Sequence, residues 1–560
     1  MKQTQKTSND LKGDMPMRPD KPLGWTRRLF SASALSLALG SSVGLATLSH
    51  DTQAASARDN TVAIAIEANM ARLDPHASTT WNTFRVLMHI FEGFVAEDLT
   101  IKDVEQPPIV PALAESWKIS EDGLTYTFNL RKGVKFHDGT AFNAEAVKFN
   151  MDRMLDKDFK YYQAVAAGLM RWMWQDLDSY KVIDEHTFEI KLKSPNSEFL
   201  RRLAMGGSGT PRFISPASIE KGGNDSVETN PIGTGPFKFE KRTVGEATTL
   251  LANKDYWDAE RLPEIERLIF RPISEVATRE LALMSGEVDM ISSPSPDSID
   301  RLKAQGLKIE SSPVSTLYMM WVNMKEKPLQ DVRVRQAICM ALDREGMAKF
   351  HRNGYAQPAY SVLNFGGPGY DPGFRDCQYD PEKAKALLAE AGYPDGFKTR
   401  MDWTMGGGGD VNTVGDAEWI QRNLSKIGIE ASIESFDNGT YWDMLGSGIR
   451  EGTGFMSVSW GETSFFWLDQ VIASDAIPPN GFNAGYYDNP KIDELLAQAR
   501  SAKNEDAMVE HLHEIQQTIA DDMAFIPYYT PIAIYAMRPN VSGFVLAPQH
   551  WHDYTGLKKN

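Results

Sequence analysis

LRKGVKFHDGTAFNAEAVKF, Leu130 to Phe149, compresses a strand end, two turns and a helix start into twenty residues. Just upstream, Tyr126, Phe128 and Leu130 alternate with Thr127 and Asn129, the period-two pattern of a strand with one buried face. Arg131-Lys-Gly133 then turns the chain, Val134 and Phe136 are expected to begin a second strand, and His137-Asp-Gly139 supplies a second turn. Asn143 with Glu145 behind it predicts a helix start, with Val147 and Met151 on one face. The stretch reads as a hairpin-plus-helix unit, scaffold rather than ligand site.

The chain around it has 560 residues, too many for one ordinary core, and predicts two or more lobes. Hydrophobic residues make up 42% and charged residues 24%, ordinary for a globular protein, so disorder is expected only at the amino terminus. There, a long polar segment precedes Thr26-Arg27-Arg28-Leu29-Phe30 and a mildly apolar run to Leu48, the pattern of an export signal that resembles the twin-arginine type. Ala55-Ser56-Ala57 offers a cleavage site, so residues 1–57 are expected to leave a mature chain beginning near Arg58 in the periplasm. Their removal deletes seven Lys/Arg and four Asp/Glu and moves the formal charge from −16 to −19. An acidic chain without a basic cluster argues against nucleic acid or an anionic membrane as partner. The two cysteines, Cys339 and Cys377, have no C-x-x-C spacing; Cys339 lies in an apolar helical pattern and is expected as core packing, with pairing left open.

Along the mature chain, the apolar strand Thr61–Ile66 runs into a polar segment, Glu67 to Pro75, of the kind that faces ligands at strand ends. Later, a helix over 416–427, a strand over 429–436, a short helix over 440–445 and a strand over 455–460 alternate in the manner of a parallel sheet. Asn489 should start a late helix and Ile526-Pro-Tyr-Tyr529 a late strand. Such sheets bind ligands at their carboxyl ends, which singles out Phe436-Asp437 and Trp460-Gly461-Glu462.

The opening stretch resembles a signature of the peptide- and nickel-type solute-binding proteins of bacterial ABC importers, extracellular solute-binding family 5. Further blocks are similar to that family in the same order: Pro111-Ala-Leu-Ala-Glu-Ser-Trp117, Asn230-Pro-Ile-Gly-Thr-Gly-Pro-Phe237, Leu283-Met-Ser-Gly-Glu-Val-Asp289, Asp331-Val-Arg-Val-Arg-Gln-Ala337 and Tyr379-Asp-Pro-Glu-Lys-Ala-Lys-Ala-Leu-Leu388. The resemblance implies an α/β, two-lobed periplasmic binding protein of type II with an inserted subdomain and a hinge between lobes. It would divide the chain into lobe I (58–99, 230–322 and 522–560), an inserted subdomain (100–229) and lobe II (323–521). The crossings are expected at Thr316–Met324 and at Asp522–Tyr529. It also implies a monomer that delivers a small solute to an inner-membrane ABC permease.

Chemistry points the same way. No G-x-S-x-G, H-E-x-x-H, phosphate loop or dinucleotide fingerprint occurs, so no catalytic residue, metal or cofactor is expected. Binding by enclosure remains, with aromatic walls and a few placed polar groups. The candidates are Glu67, Asn69, Arg212, Tyr318, Trp321, Trp403, Trp460 and Glu462; core packing competes for each aromatic, and a surface ion pair for Arg212. Trp460 matches the family's Trp at this strand end. Oligopeptide binders of the family carry an Asp about three residues later that holds the peptide ammonium; here Thr463 stands there, beside Glu462. The ligand is therefore open among a peptide or peptide-like compound, an opine-like or sugar conjugate and a metal chelate, with an exported hydrolase as the contrasting reading.

Overall fold

A computed structural model of the chain describes residues 60–78, 81–102, 106–206, 210–405, 413–461 and 464–560. The expected export segment and Glu462 lie outside the described residues. β1 (Thr61–Ile66) belongs to a twelve-stranded sheet. β2 (Val95–Glu97) and β3 (Ile109–Pro111) pair with each other. A separate antiparallel sheet takes β4 (Ala114–Ile119), β5 (Thr125–Leu130), β6 (Leu177–Asp184) and β7 (Thr187–Leu192) in the order β4-β5-β7-β6.

β5 carries the alternation read from the sequence: Tyr126, Phe128 and Leu130 are 4%, 0% and 1% exposed and pack on Val134, Phe136, Val147 and Met151. The second strand expected at Val134 does not form. Only one bridge, Lys135 to Ala141, is made, because the turn closes too soon: Gly139 N–H donates to Phe136 O at 2.8 Å and Phe136 N–H to Thr140 O at 2.8 Å. The helix Ala144–Leu155 does begin where predicted, capped by the Asn143 side chain, which accepts from the Ala146 N–H at 3.0 Å. The turn also docks on a second quoted motif, since His137 N–H donates to Gly233 O at 2.8 Å and its ring nitrogen lies 2.9 Å from Gly235 O. Both glycines are required by close approach: a Cβ at Gly233 would stand 2.0 Å from the Ile90 carbonyl oxygen, and one at Gly235 2.4 Å from that of His89.

β8 (Phe237–Thr243), β9 (Ala247–Ala252) and β10 (Arg267–Pro272) form an antiparallel meander, and β1 lies parallel between β10 and β11 (Met290–Ser292). β12 (Lys308–Pro313) leads through Val314, Ser315 and Thr316 into β13 (Leu317–Val322). β14 (Ala356–Pro358), β15 (Lys398–Thr404), β16 (Glu430–Phe436) and β17 (Phe455–Trp460) follow. β15 runs parallel to β16 and β17, as the helix–strand alternation predicted. β18 (Phe525–Met537) is 13 residues long and connects the two halves of the sheet. Its carboxyl half pairs with β11 and β12, its amino half with β13. Partners change at Thr530–Pro531, alongside Val314–Thr316. Residues 317–322 bond both to 525–529 and to β17, on the far side of the changeover. Pro527 sits at the bulge between Tyr318 and Met319, where a strand tolerates a residue without an N–H.

β13 is buried on both faces. Leu317, Met319 and Trp321 join one core with Trp467 and Leu512, whereas Tyr318, Met320 and Val322 join another with Ile338 and Trp403. Cys339 lies in the second core, as its periodicity predicted, and it also forms a disulfide with Cys377, the pairing the sequence left open. An apolar helical position does not exclude a bond to a loop that crosses over that helix. The guanidinium of Arg344 fixes the junction, donating to Asp376 at 2.6 Å and to the Cys339 sulfur at 3.1 Å.

Candidate functional site

The parallel strands β1, β10 and β11 end side by side, with Ile66 opposite Pro272 and Ala65 opposite Ile291. Glu67, Ile273 and Ser293 therefore emerge together. Arg279, fully buried on the helix Val276–Ser285, donates to the carbonyls of Ile273 (2.6 Å), Ser274 (3.2 Å), Ser292 (3.0 Å) and Ser293 (2.7 Å). These bonds hold Ser293 at φ 47°, the left-handed region uncommon for a residue with a side chain. From there the Ser293 hydroxyl donates to Glu67 Oε1 at 2.5 Å, and Arg85 Nη1 donates to Glu67 Oε2 at 2.8 Å. Arg85 Nε donates to the His550 carbonyl at 2.7 Å, and the His550 ring is hydrogen-bonded to the Thr316 hydroxyl at the first crossing. Between this group and the segment before β14 lies a cavity of about 120 Å³, whose walls include Arg85, Ser293, Tyr318, Arg352, Tyr355 and Tyr535.

Burial alone would raise the Glu67 pKa, but the Arg85 guanidinium and the Ser293 hydroxyl outweigh it and hold it at about 2. Burial likewise opposes the charge on Arg85, and Glu67 reverses the effect, so Arg85 rises above its ordinary value. Burial and then Arg85 push His550 down to about 3, leaving a neutral imidazole. Burial lifts Tyr535 to about 12. The wall thus combines a compensated ion pair with neutral hydrogen-bonding groups, chemistry suited to holding a polar solute. Among the described residues, one cluster has metal-ligand proximity, Cys339, Asp376 and Cys377, and its two sulfurs are joined to each other.

Seven of the eight expected site residues lie among the described residues, and they separate. Tyr318 lines the cavity and stacks on Tyr529 with ring centroids 4.7 Å apart. Glu67 stands behind the wall, locking Arg85. Asn69 is exposed and lies outside the lining. Arg212 is buried, not a surface ion pair: Nη2 donates to Met205 O at 2.8 Å, its carbonyl accepts from the His76 ring at 2.7 Å, and burial lowers its pKa to about 10. Trp321 and Trp403 are fully buried in the two cores, Trp321 edge-on to Phe525 and Trp403 near Tyr528. Trp460, half-buried at the end of β17, packs on Phe482 and pairs with Leu317. Cross-strand partners share a face, so Trp460 and Tyr318 project from opposite faces of the sheet. Sequence reasoning missed Arg85, Ser293, Arg352 and His550. Ser293 follows the Leu283–Asp289 block and was reachable as a strand end; Arg85 and His550 are 465 residues apart and carried no local signal.

Comparison with known proteins agrees with this architecture. Residues 108–514 match the model of bacterial extracellular solute-binding proteins, family 5. The chain is 31% identical over 518 residues to the glutathione-binding protein GsiB of Salmonella choleraesuis, covering 90% of this chain and 95% of that protein. Among solved structures, it superposes with a TM-score of 0.74 on the ABC transporter-associated periplasmic binding protein DppA from Helicobacter pylori in complex with the peptide STSA, at 26% identity over 89% of this chain and 98% of that one. HbpA2 from Haemophilus parasuis gives a TM-score of 0.76 at 28% identity, covering 90% of this chain and 100% of that one. The fold is thus the two-lobed α/β architecture of periplasmic binding proteins. A sequence match across most of its length, ordered motifs that touch one another in space and a cavity at the changeover between sheet halves place this chain among the bacterial extracellular solute-binding proteins, family 5.

Proposed function

We propose that this protein is the periplasmic receptor of an ABC importer, a monomer that closes two lobes on a small peptide-like solute and presents it to an inner-membrane permease without chemical change. The observation that carries the ligand class is the whole-length likeness to a glutathione-binding protein. The geometry is compatible: the cavity wall offers guanidinium, hydroxyl and phenol groups, suited to a small peptide rich in carboxylate and amide oxygens. Lobe I takes residues 60–313 and 532–560, with the inserted subdomain 100–229, and lobe II takes 317–529, a division that the change of strand partners along β18 supports. The segment 1–57 is its export signal. Trp460 and Glu462, at the carboxyl end of β17, contribute to the ligand's surroundings from lobe II.

Native mass spectrometry of the mature protein, followed by isothermal titration with reduced glutathione, a dipeptide and a nickel–histidine chelate, tests this reading. Saturable binding of glutathione or the dipeptide is expected. Binding of the chelate alone would replace the ligand class, and turnover of a substrate without saturable binding would overturn the receptor role.

A further inference from the structure

Outside the hinge, the inserted subdomain touches lobe II through the turn Pro195-Asn196-Ser197-Glu198. The Ser197 hydroxyl donates to the Ala499 carbonyl at 3.3 Å and to the Met508 sulfur at 3.1 Å, and the Ser197 N–H donates to the Arg500 carbonyl at 3.4 Å. Ala499 and Arg500 end the helix Pro490–Arg500, where the Ala499 carbonyl also accepts from the Ala502 N–H at 3.3 Å, and Met508 lies on the next helix, Glu505–Asp522. The turn is built in advance of this contact. Its Asn196 carbonyl accepts from the Tyr126 hydroxyl at 3.1 Å, the Asn196 side chain accepts from the Glu198 N–H at 3.1 Å, and Asn196, Glu198 and Phe199 are all buried within the subdomain. On the lobe II side, the Arg500 guanidinium is paired with Asp469, on the helix Ser464–Val471 that follows the carboxyl end of β17.

We propose that the Ser197 turn is a clasp: it caps the end of the helix Pro490–Arg500 across the cleft and so sets the balance between closed and open lobes. The inserted subdomain then has a mechanical role, and the hairpin-plus-helix unit of the opening stretch is the frame that holds the clasp rigid. Because the contact forms only when the lobes are together, its energy enters the closed state alone and shifts the population directly.

The clasp rests on the lobe division proposed above, and one experiment distinguishes the two. Spin labels on Lys157→Cys and Glu494→Cys, both exposed, report the distance between inserted subdomain and lobe II while the native cysteines stay joined. Distance distributions are recorded for this labelled parent and with Ser197→Ala or Ser197→Tyr added, with and without 5 mM reduced glutathione. Ser197→Ala should lower the closed-to-open ratio by about three- to tenfold, the scale of one or two lost hydrogen bonds, and Ser197→Tyr should lower it further by obstruction. Unchanged melting temperatures confirm that folding is intact. Distributions that change with glutathione but coincide in parent and both variants would overturn the clasp and leave the lobes standing. A single invariant distance in every sample would overturn both.

Discussion

Glu67 is a mostly buried carboxylate, and its environment makes a sharp demand on any replacement. Glu67→Gln keeps the shape but strands a buried Arg85, and removing one partner of a buried pair costs about 3–5 kcal/mol. Urea unfolding at pH 7 should show a loss near the lower end, since the amide still accepts a hydrogen bond. The pH dependence has a definite sign. The folded pKa, about 2, lies below the ordinary 4.5, so the stabilisation is fully present above 4.5 and is lost as pH falls toward 2. The gap between parent and variant should therefore narrow across that window; a constant gap would show that charge is not what Glu67 contributes. Trp460 makes a different prediction. It is half-buried and packs on Phe482 beside a core rather than within one, so Trp460→Ala should leave the fold intact and weaken ligand binding by about 1–3 kcal/mol, read by titration with the solute that co-purifies. Equal affinity in parent and variant would remove Trp460 from the site.

Among the elements, the disulfide Cys339–Cys377 closes a loop that contains Arg352, Tyr355 and β14, the lobe II wall of the cavity. Replacing both cysteines with serine should cost about 2–4 kcal/mol in denaturant unfolding, chiefly by freeing the unfolded chain. Titration should also show weaker binding, because the wall segment is then anchored by the Arg344–Asp376 pair and packing alone. An unchanged midpoint with and without reductant would mean that this pair already suffices. The same element shows what sequence could and could not disclose. The helix carrying Cys339 was legible from periodicity, as were β5, β17 and the Asn143 cap, because each is fixed by neighbours within a few residues. Whether Cys339 pairs with Cys377, 38 residues away, was not. β18 was read as a short strand at Ile526–Tyr529 because Pro527 and Pro531 interrupt its pattern, yet it runs to Met537 by exchanging partners at the second proline. Trp321 and Trp403 were legible only as pocket or core for a related reason: residue type marks an aromatic as fit for either, and only the packing of distant strands buries both.

For the whole molecule, ionisation is unevenly divided. His76, His89 and His137 are held down to about 4 and His550 to about 3, in each case first by burial, which also holds His552 well below the usual histidine range. All five lie in the segments proposed above as lobe I with its inserted subdomain. A histidine whose folded pKa lies below 6.5 binds its proton more readily in the unfolded chain, so stability present at neutral pH is lost as pH falls from about 6.5 toward 4, by at most about 1.4 kcal/mol per pH unit for each group. Glu92 and Glu97, raised by burial, act in the opposite direction and offset part of this loss. Lobe II faces acid differently: its wall is stapled by a disulfide, which does not titrate there. Lobe I should therefore loosen first. Hydrogen exchange, corrected for intrinsic rates and measured at pH 7 and pH 5, should speed up in residues 60–292 and 532–560 while 317–529 stays protected. The reverse order, or a single concerted loss across both sets, would show that the buried histidines do not govern the acid response and that the lobes are energetically one unit.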